Sequence, residues 1–126
     1  MKIGMIGLGK LGLPCAVGMA LKGHEVMGYD IVSANMSKTP KPYLETGPDG
    51  IEPFNVVLAD SSLKFGSLED VVRHAEILFL AVQTPHDGKY EGVNRLPEER
   101  RDFDYKYLTE AVNSLTRYLK PETILT

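Results

Sequence analysis

The sequence predicts an α/β fold built on a doubly wound parallel sheet of about five strands, and three observations carry that prediction. Gly7, Gly9 and Gly12 stand in a Gly-x-Gly-x-x-Gly spacing between a short apolar run, Ile3–Ile6, and a helical pattern. Ile77–Val82 is apolar throughout, as suits a strand covered on both faces. Around these segments, strand-like and helix-like patterns alternate, which implies right-handed βαβ units.

The elements follow in order. Lys2–Gly7 reads as a buried strand. From Lys10 to Lys22, Leu13, Ala16, Val17, Ala20 and Leu21 recur at three- and four-residue steps, the signature of a one-sided helix. Pro14 is compatible with it, because the first-turn amides have no intrahelical acceptor to lose. Lys22-Gly23 supplies a stop, and Glu25–Tyr29 forms a second strand ending at Asp30.

From Ile31 to Pro53 the pattern dissolves, with Pro40, Pro42, Pro48 and Pro53 interleaved with Gly47 and Gly50. A short helix is expected over Phe54–Asp60, a third strand over Leu63–Phe65, and a helix from the Ser67–Asp70 capping pair to about His74. Glu76–Val82 is the fourth strand, stopped by Thr84-Pro85, and a charged connection runs from His86 to Phe103. Asp102 or Asp104 then caps a helix with the stripe Tyr105, Leu108, Ala111, Val112, Leu115 and Leu119; Lys120-Pro121 ends it. Thr123–Thr126 begins a fifth strand. The strand order expected is 3-2-1-4-5, a Rossmann-type sheet whose crevice lies at the carboxyl ends of strands one and four.

Composition narrows the function. With 126 residues, 43% of them hydrophobic, the chain suffices for one domain, residues 1–126, with its own core. A formal charge of −3 and no Lys/Arg block argue against nucleic acid or an anionic membrane as partner. No run approaches the roughly 18–20 apolar residues that span a bilayer. The opening strand leaves no space for a signal peptide, and the lone Cys15 fits a reducing compartment, so a cytoplasmic location is expected. The sequence stops inside its predicted last strand, which points to a longer enzyme.

The glycine run carries the chemistry. Gly7 allows a tight turn out of the strand, Gly9 lets a pyrophosphate approach the backbone, and Gly12 lets the helix lie close to the sheet. The helix that follows directs its unpaired amides at the phosphates. Asp30, 18 residues after Gly12, stands where an acid accepts hydrogen bonds from the adenosine ribose. A carboxylate there repels a 2′-phosphate, and neither Ile31 nor Val32 is an arginine that would welcome one, so NAD is expected rather than NADP.

Gly7-Leu8-Gly9-Lys10-Leu11-Gly12-Leu13-Pro14 and Val82-Gln83-Thr84-Pro85 together resemble the opening run and the Val-x-Thr-Pro signature of the nucleotide-sugar 6-dehydrogenases. Glu52-Pro53, Leu63–Phe65 and the helix led by Asp104 fall at the corresponding places, so the resemblance covers the whole chain. That family oxidises UDP-glucose, GDP-mannose or related sugars to uronic acids, with two hydride transfers to two NAD molecules in turn. The resemblance implies that Gly7, Leu8, Gly9, Lys10, Leu11 and Gly12 cradle the pyrophosphate and that Asp30 holds the adenosine ribose. It implies that Val82, Gln83, Thr84, Pro85 and His86 line the passage to the nicotinamide ribose. It puts Thr126 at or beside a Ser-Thr pair that closes the site.

The family's catalytic cysteine, its supporting residues and its dimer-forming helix lie in later domains, so no catalytic residue is assigned here and a homodimer is implied only for the full-length enzyme. Asn35 stands where the family often carries a basic residue. Two rival readings are a β-hydroxyacid dehydrogenase domain, which Gly23-His24 fits, and a non-catalytic nucleotide-binding module.

The remaining reactive side chains read more simply. Cys15, in the first helix, is expected to be a small buried hydrophobe. His24, His74 and His86 show no metal-ligand spacing with one another or with Cys15, so no metal is assigned. Glu98-Glu99-Arg100-Arg101-Asp102 reads as a solvated loop.

Overall fold

The computed structural model describes residues 1–37, 54–90, 95 and 97–126. The proline- and glycine-rich stretch predicted over 38–53, including Glu52-Pro53, lies outside the described residues. Five strands form one parallel sheet: β1 (Lys2–Ile6), β2 (Glu25–Tyr29), β3 (Lys64–Phe65), β4 (Ile77–Leu80) and β5 (Ile124–Leu125). Their order is β3-β2-β1-β4-β5, as the alternation of elements implies. Ile3 pairs with Val26 on one side and with Ile77 on the other, so β1 is the central strand from which the chain winds both ways.

The pleat divides the core into two layers. Ile3 and Met5 join Val26 and Leu63 beneath α1 (Gly12–Leu21) and α2 (Phe54–Asp60), which contribute Leu13, Ala16, Val17, Ala20, Phe54, Val57 and Leu58. Ile6 and Leu78 face α3 (Leu68–His74) and α4 (Lys106–Leu115), where Val71, Val72, Ala75 and Leu115 close the second layer. Among the described residues, 31–37 form only a short 3-10 turn, Ser33–Asn35, and no helix is long and apolar enough to cross a membrane.

Helix α3 starts where its sequence says it should. The Ser67 hydroxyl accepts the Asp70 amide (3.2 Å) and the Asp70 carboxylate accepts the Ser67 amide (3.2 Å), a reciprocal capping box. The Ser67 hydroxyl also donates to Asp70 Oδ2 (2.6 Å). That bond first, and the amide second, holds the Asp70 carboxyl below the usual carboxylate value. A lowered folded pKa means the interaction is fully present above the unfolded pKa and fades as pH falls through the folded one. Ser67→Ala is expected to cost about 1 kcal/mol in chemical denaturation at pH 7. The gap from wild type should narrow as the pH is lowered through the acid range where Asp70 protonates.

Three expectations need correction. Cys15 is exposed, not buried: two residues beyond Leu13 is a rotation of about 200°, which carries it to the far side of α1. Leu21, eight residues past Leu13, lies about 80° off the stripe and is 48% exposed. Tyr105 precedes α4 and is exposed, while within the stripe Leu115 alone is fully buried. The Asp104 carboxylate does serve the helix start, accepting the Lys106 amide (2.9 Å), whereas Asp102 instead accepts the Phe103 amide and the Tyr105 hydroxyl. That last bond raises the Tyr105 phenol pKa, since losing its proton would set two negative charges together.

Candidate dinucleotide-binding site

The carboxyl ends of β1, β2 and β4 converge, and the crossover from the β2–β3 side to the β4–β5 side makes this the point where the strand order reverses. Gly7 leaves β1 with φ of 93°, a conformation that side chains disfavour, and its amide donates to the Tyr29 carbonyl (2.9 Å). A β-carbon on Gly7 would run into the Ala81 carbonyl, and one on Gly12 into the Gly7 carbonyl. The glycine turn is therefore wedged against Ala81 at the end of β4, and the Ala81 amide donates to the Ile6 carbonyl (2.7 Å).

Gly9 differs from both. A β-carbon there would meet no protein atom within 4 Å, so the fold itself has no need of a glycine at this position. Its bareness keeps open the space in front of the turn. The start of α1 is near that space: Leu13 donates back to the Gly9 carbonyl (3.1 Å), while Lys10 and Leu11 are exposed. Amides of a first helical turn lack intrahelical acceptors and point outward along the axis.

Asp30 is 8% exposed at the end of β2. Its Oδ2 accepts the Leu8 amide (2.6 Å) and its Oδ1 accepts the Val32 amide (2.7 Å). Each carboxylate oxygen has two lone pairs, so two further acceptor positions are available to a pair of hydroxyls. A bare turn, a helix start and an anchored carboxylate on one crevice suit a pyrophosphate linked to a ribose, so the residues present fit a dinucleotide.

Beyond β4, Val82, Thr84 and Pro85 are half-buried and Gln83 is exposed. Val82 lies beside the turn, its amide 3.3 Å from where a Gly7 β-carbon would stand. Thr126 follows β5 at the same edge of the sheet: its carbonyl accepts the Leu80 amide (2.8 Å) and its amide donates to the Leu78 carbonyl (3.0 Å). The structure thus gathers Gly7–Gly12, Asp30 and Val82 closely, with Gln83–Pro85 and Thr126 on the same rim.

The connection after β4 is pinned at its ends, since the Asp104 amide donates to the Pro85 carbonyl (2.7 Å). Beside its described residues lies an open hollow of about 540 Å³ with His86, Tyr90, Arg101 and Phe103 in its lining. His86 meets Phe103 edge-on at 5.8 Å, and Arg101 approaches Asp87 at 3.7 Å. Residues 91–94 and 96 of this connection lie outside the described residues. Among the described residues no group of three His, Cys, Asp or Glu side chains could hold a metal ion.

Sequence reasoning missed Ala81, on which the turn rests, and the Val32 amide that holds the second Asp30 oxygen. The small residue between an apolar strand and a Thr-Pro stop was a signal for Ala81. Nothing in the sequence marked Val32.

A family model described as the UDP-glucose/GDP-mannose dehydrogenase family, NAD binding domain, matches residues 1–126. The chain belongs to this family. It is 28% identical over 120 residues to a UDP-N-acetyl-D-mannosamine dehydrogenase of Pyrococcus horikoshii, covering 94% of this chain and 26% of that protein. It is 29% identical over 129 residues to a UDP-glucose 6-dehydrogenase of Rickettsia bellii, covering 99% of this chain and 27% of that protein. The fold matches the GDP-mannose dehydrogenase of Pseudomonas aeruginosa with a TM-score of 0.74 at 22% identity, covering 97% of this chain and 26% of that one. This NAD-binding domain therefore spans about a quarter of the length of these dehydrogenases.

Proposed function

We propose that this domain serves a nucleotide-sugar 6-dehydrogenase, holding NAD while a UDP- or GDP-linked sugar is oxidised to its uronic acid. The observation that carries the reading is the match of the family's NAD-binding domain to residues 1–126, a span that takes in the glycine turn, Asp30 and Val82. Asp30 takes the adenosine ribose hydroxyls. The turn Gly7, Leu8, Gly9, Lys10, Leu11 and Gly12 holds the pyrophosphate, and Val82, Gln83, Thr84, Pro85 and Thr126 line the nicotinamide end. The cofactor supplies hydride acceptance, and the residues of this chain bind and orient it.

The domain alone carries out no oxidation in this reading, because none of its side chains is assigned to the chemistry. The related proteins are named for different sugars, UDP-N-acetyl-D-mannosamine, UDP-glucose and GDP-mannose, although they share this domain. Choice of sugar accordingly belongs outside it. Titration calorimetry with NAD and NADP tests the cofactor assignment. NAD should bind more tightly by roughly tenfold or more, since a 2′-phosphate would meet the Asp30 carboxylate in a partly desolvated place. Equal binding of the two would sink the Asp30 assignment, and turnover of UDP-glucose by this chain alone would sink the division of labour.

A further inference from the structure

Gly28 and Asp30 are two residues apart on β2 and its extension, a spacing that puts both on one face of the sheet. Leu8 meets both of them. Its side chain, 1% exposed, lies over Gly28, and its amide donates to Asp30 Oδ2 (2.6 Å). A β-carbon on Gly28 would come 2.9 Å from Leu8 Cδ2 and 3.1 Å from Cδ1, too close for Leu8 to stay where it is. Gly28 itself is held, paired with Met5 of β1 and accepting the Gly66 amide (3.2 Å) from just beyond β3. Leu8 is the member of the pair that must give way, and it belongs to the glycine turn.

We propose that Leu8 and Gly28 are a fitted pair of positioning residues that sets the glycine turn against Asp30, and thereby sets the preference of the site for NAD over NADP. The inference rests on the assignment of Asp30 to the adenosine ribose. The notch left by the missing Gly28 side chain fixes how deep Leu8 seats. That depth fixes the Leu8 amide, and the amide fixes one carboxylate oxygen. If the seat is lost, the carboxylate is less well placed both to accept the ribose hydroxyls and to repel a 2′-phosphate. NAD then weakens more than NADP, whereas general loosening of the fold weakens both alike.

The test measures NAD and NADP dissociation constants, with thermal stability, for wild type, Gly28→Ala, Leu8→Val and the double variant. Gly28→Ala overfills the notch and Leu8→Val underfills it, so each should lower the NAD:NADP preference by roughly tenfold. The double variant moves one methylene across the contact and conserves its volume, so it should return to within about threefold of wild type. A folded Gly28→Ala protein with the wild-type preference would overturn the inference, as would a double variant no better than the worse single one. If Gly28→Ala does not fold, Leu8→Val decides alone, and an unchanged preference there overturns it. A wild-type chain that shows no preference would instead overturn the Asp30 assignment beneath it.

Discussion

Asp30→Ala is expected to weaken NAD binding by roughly 100-fold and to lower the stability of the free domain by about 2 kcal/mol. The two losses have separate origins. In the free protein the substitution strands two backbone donors, the amides of Leu8 and Val32, which otherwise end on the carboxylate at 2.6 and 2.7 Å. The Leu8 bond is buried and the Val32 bond partly so, so water replaces the first poorly and the second better. With the cofactor bound as proposed, two charge-assisted hydrogen bonds to the ribose would be lost as well, each about 1.5–3 kcal/mol, and their sum corresponds to a hundredfold or more.

Asp30→Asn separates the roles further. An asparagine can present its oxygen to one amide but must turn its NH2 towards the other, a donor facing a donor. It should therefore fail to restore either stability or affinity fully despite its matching shape. Calorimetric titration of NAD against the three proteins, at a temperature where denaturation shows all three folded, is the measurement. An Asp30→Ala protein that binds NAD as wild type does would remove the residue from the site.

The part of this site legible in the sequence is the part set by local geometry. The strand–turn–helix arrangement around Gly7, Gly9 and Gly12 required only spacing, and the strand order followed from alternation and handedness. The acid at 30 was legible because a βαβ unit of ordinary length brings the end of its second strand beside its first turn. What escaped was contact between distant segments. That Gly28 is bare because Leu8 seats there depends on how far the turn dips, which no periodicity encodes. Cys15 was misread for a different reason: its neighbours Pro14 and Ala16 lie near the packed face, but the angle per residue decides burial, not adjacency. In α4 the apolar stripe was legible, yet only Leu115 is fully covered, because burial depends on what stands opposite.

The three glycines of the turn should respond to alanine in opposite ways, and the contrast distinguishes demands of the fold from demands of the ligand. Gly12→Ala puts a methyl into the Gly7 carbonyl and within 3.0 Å of the Ala81 side chain. Backbone cannot step aside as the end of a side chain can, so α1 must lift from the sheet. The expected cost is about 3 kcal/mol, at the upper end of overpacking, with NAD binding lost because the helix start moves. Gly7→Ala should be comparably damaging, adding an unfavourable backbone conformation at φ 93° to an overlap with Ala81.

Gly9→Ala meets nothing within 4 Å, and Gly9 is not among the positive-φ glycines. Its stability should stay within about 1 kcal/mol of wild type, or rise slightly as the unfolded chain loses freedom. On the proposed placing of the pyrophosphate before the turn, NAD affinity should nevertheless fall by roughly tenfold or more, because the new methyl takes up that space. Denaturation curves and NAD titrations of the three variants test this directly. A Gly9→Ala protein that is stable and still binds NAD at wild-type strength would show that the open space before the turn is not where the phosphates lie.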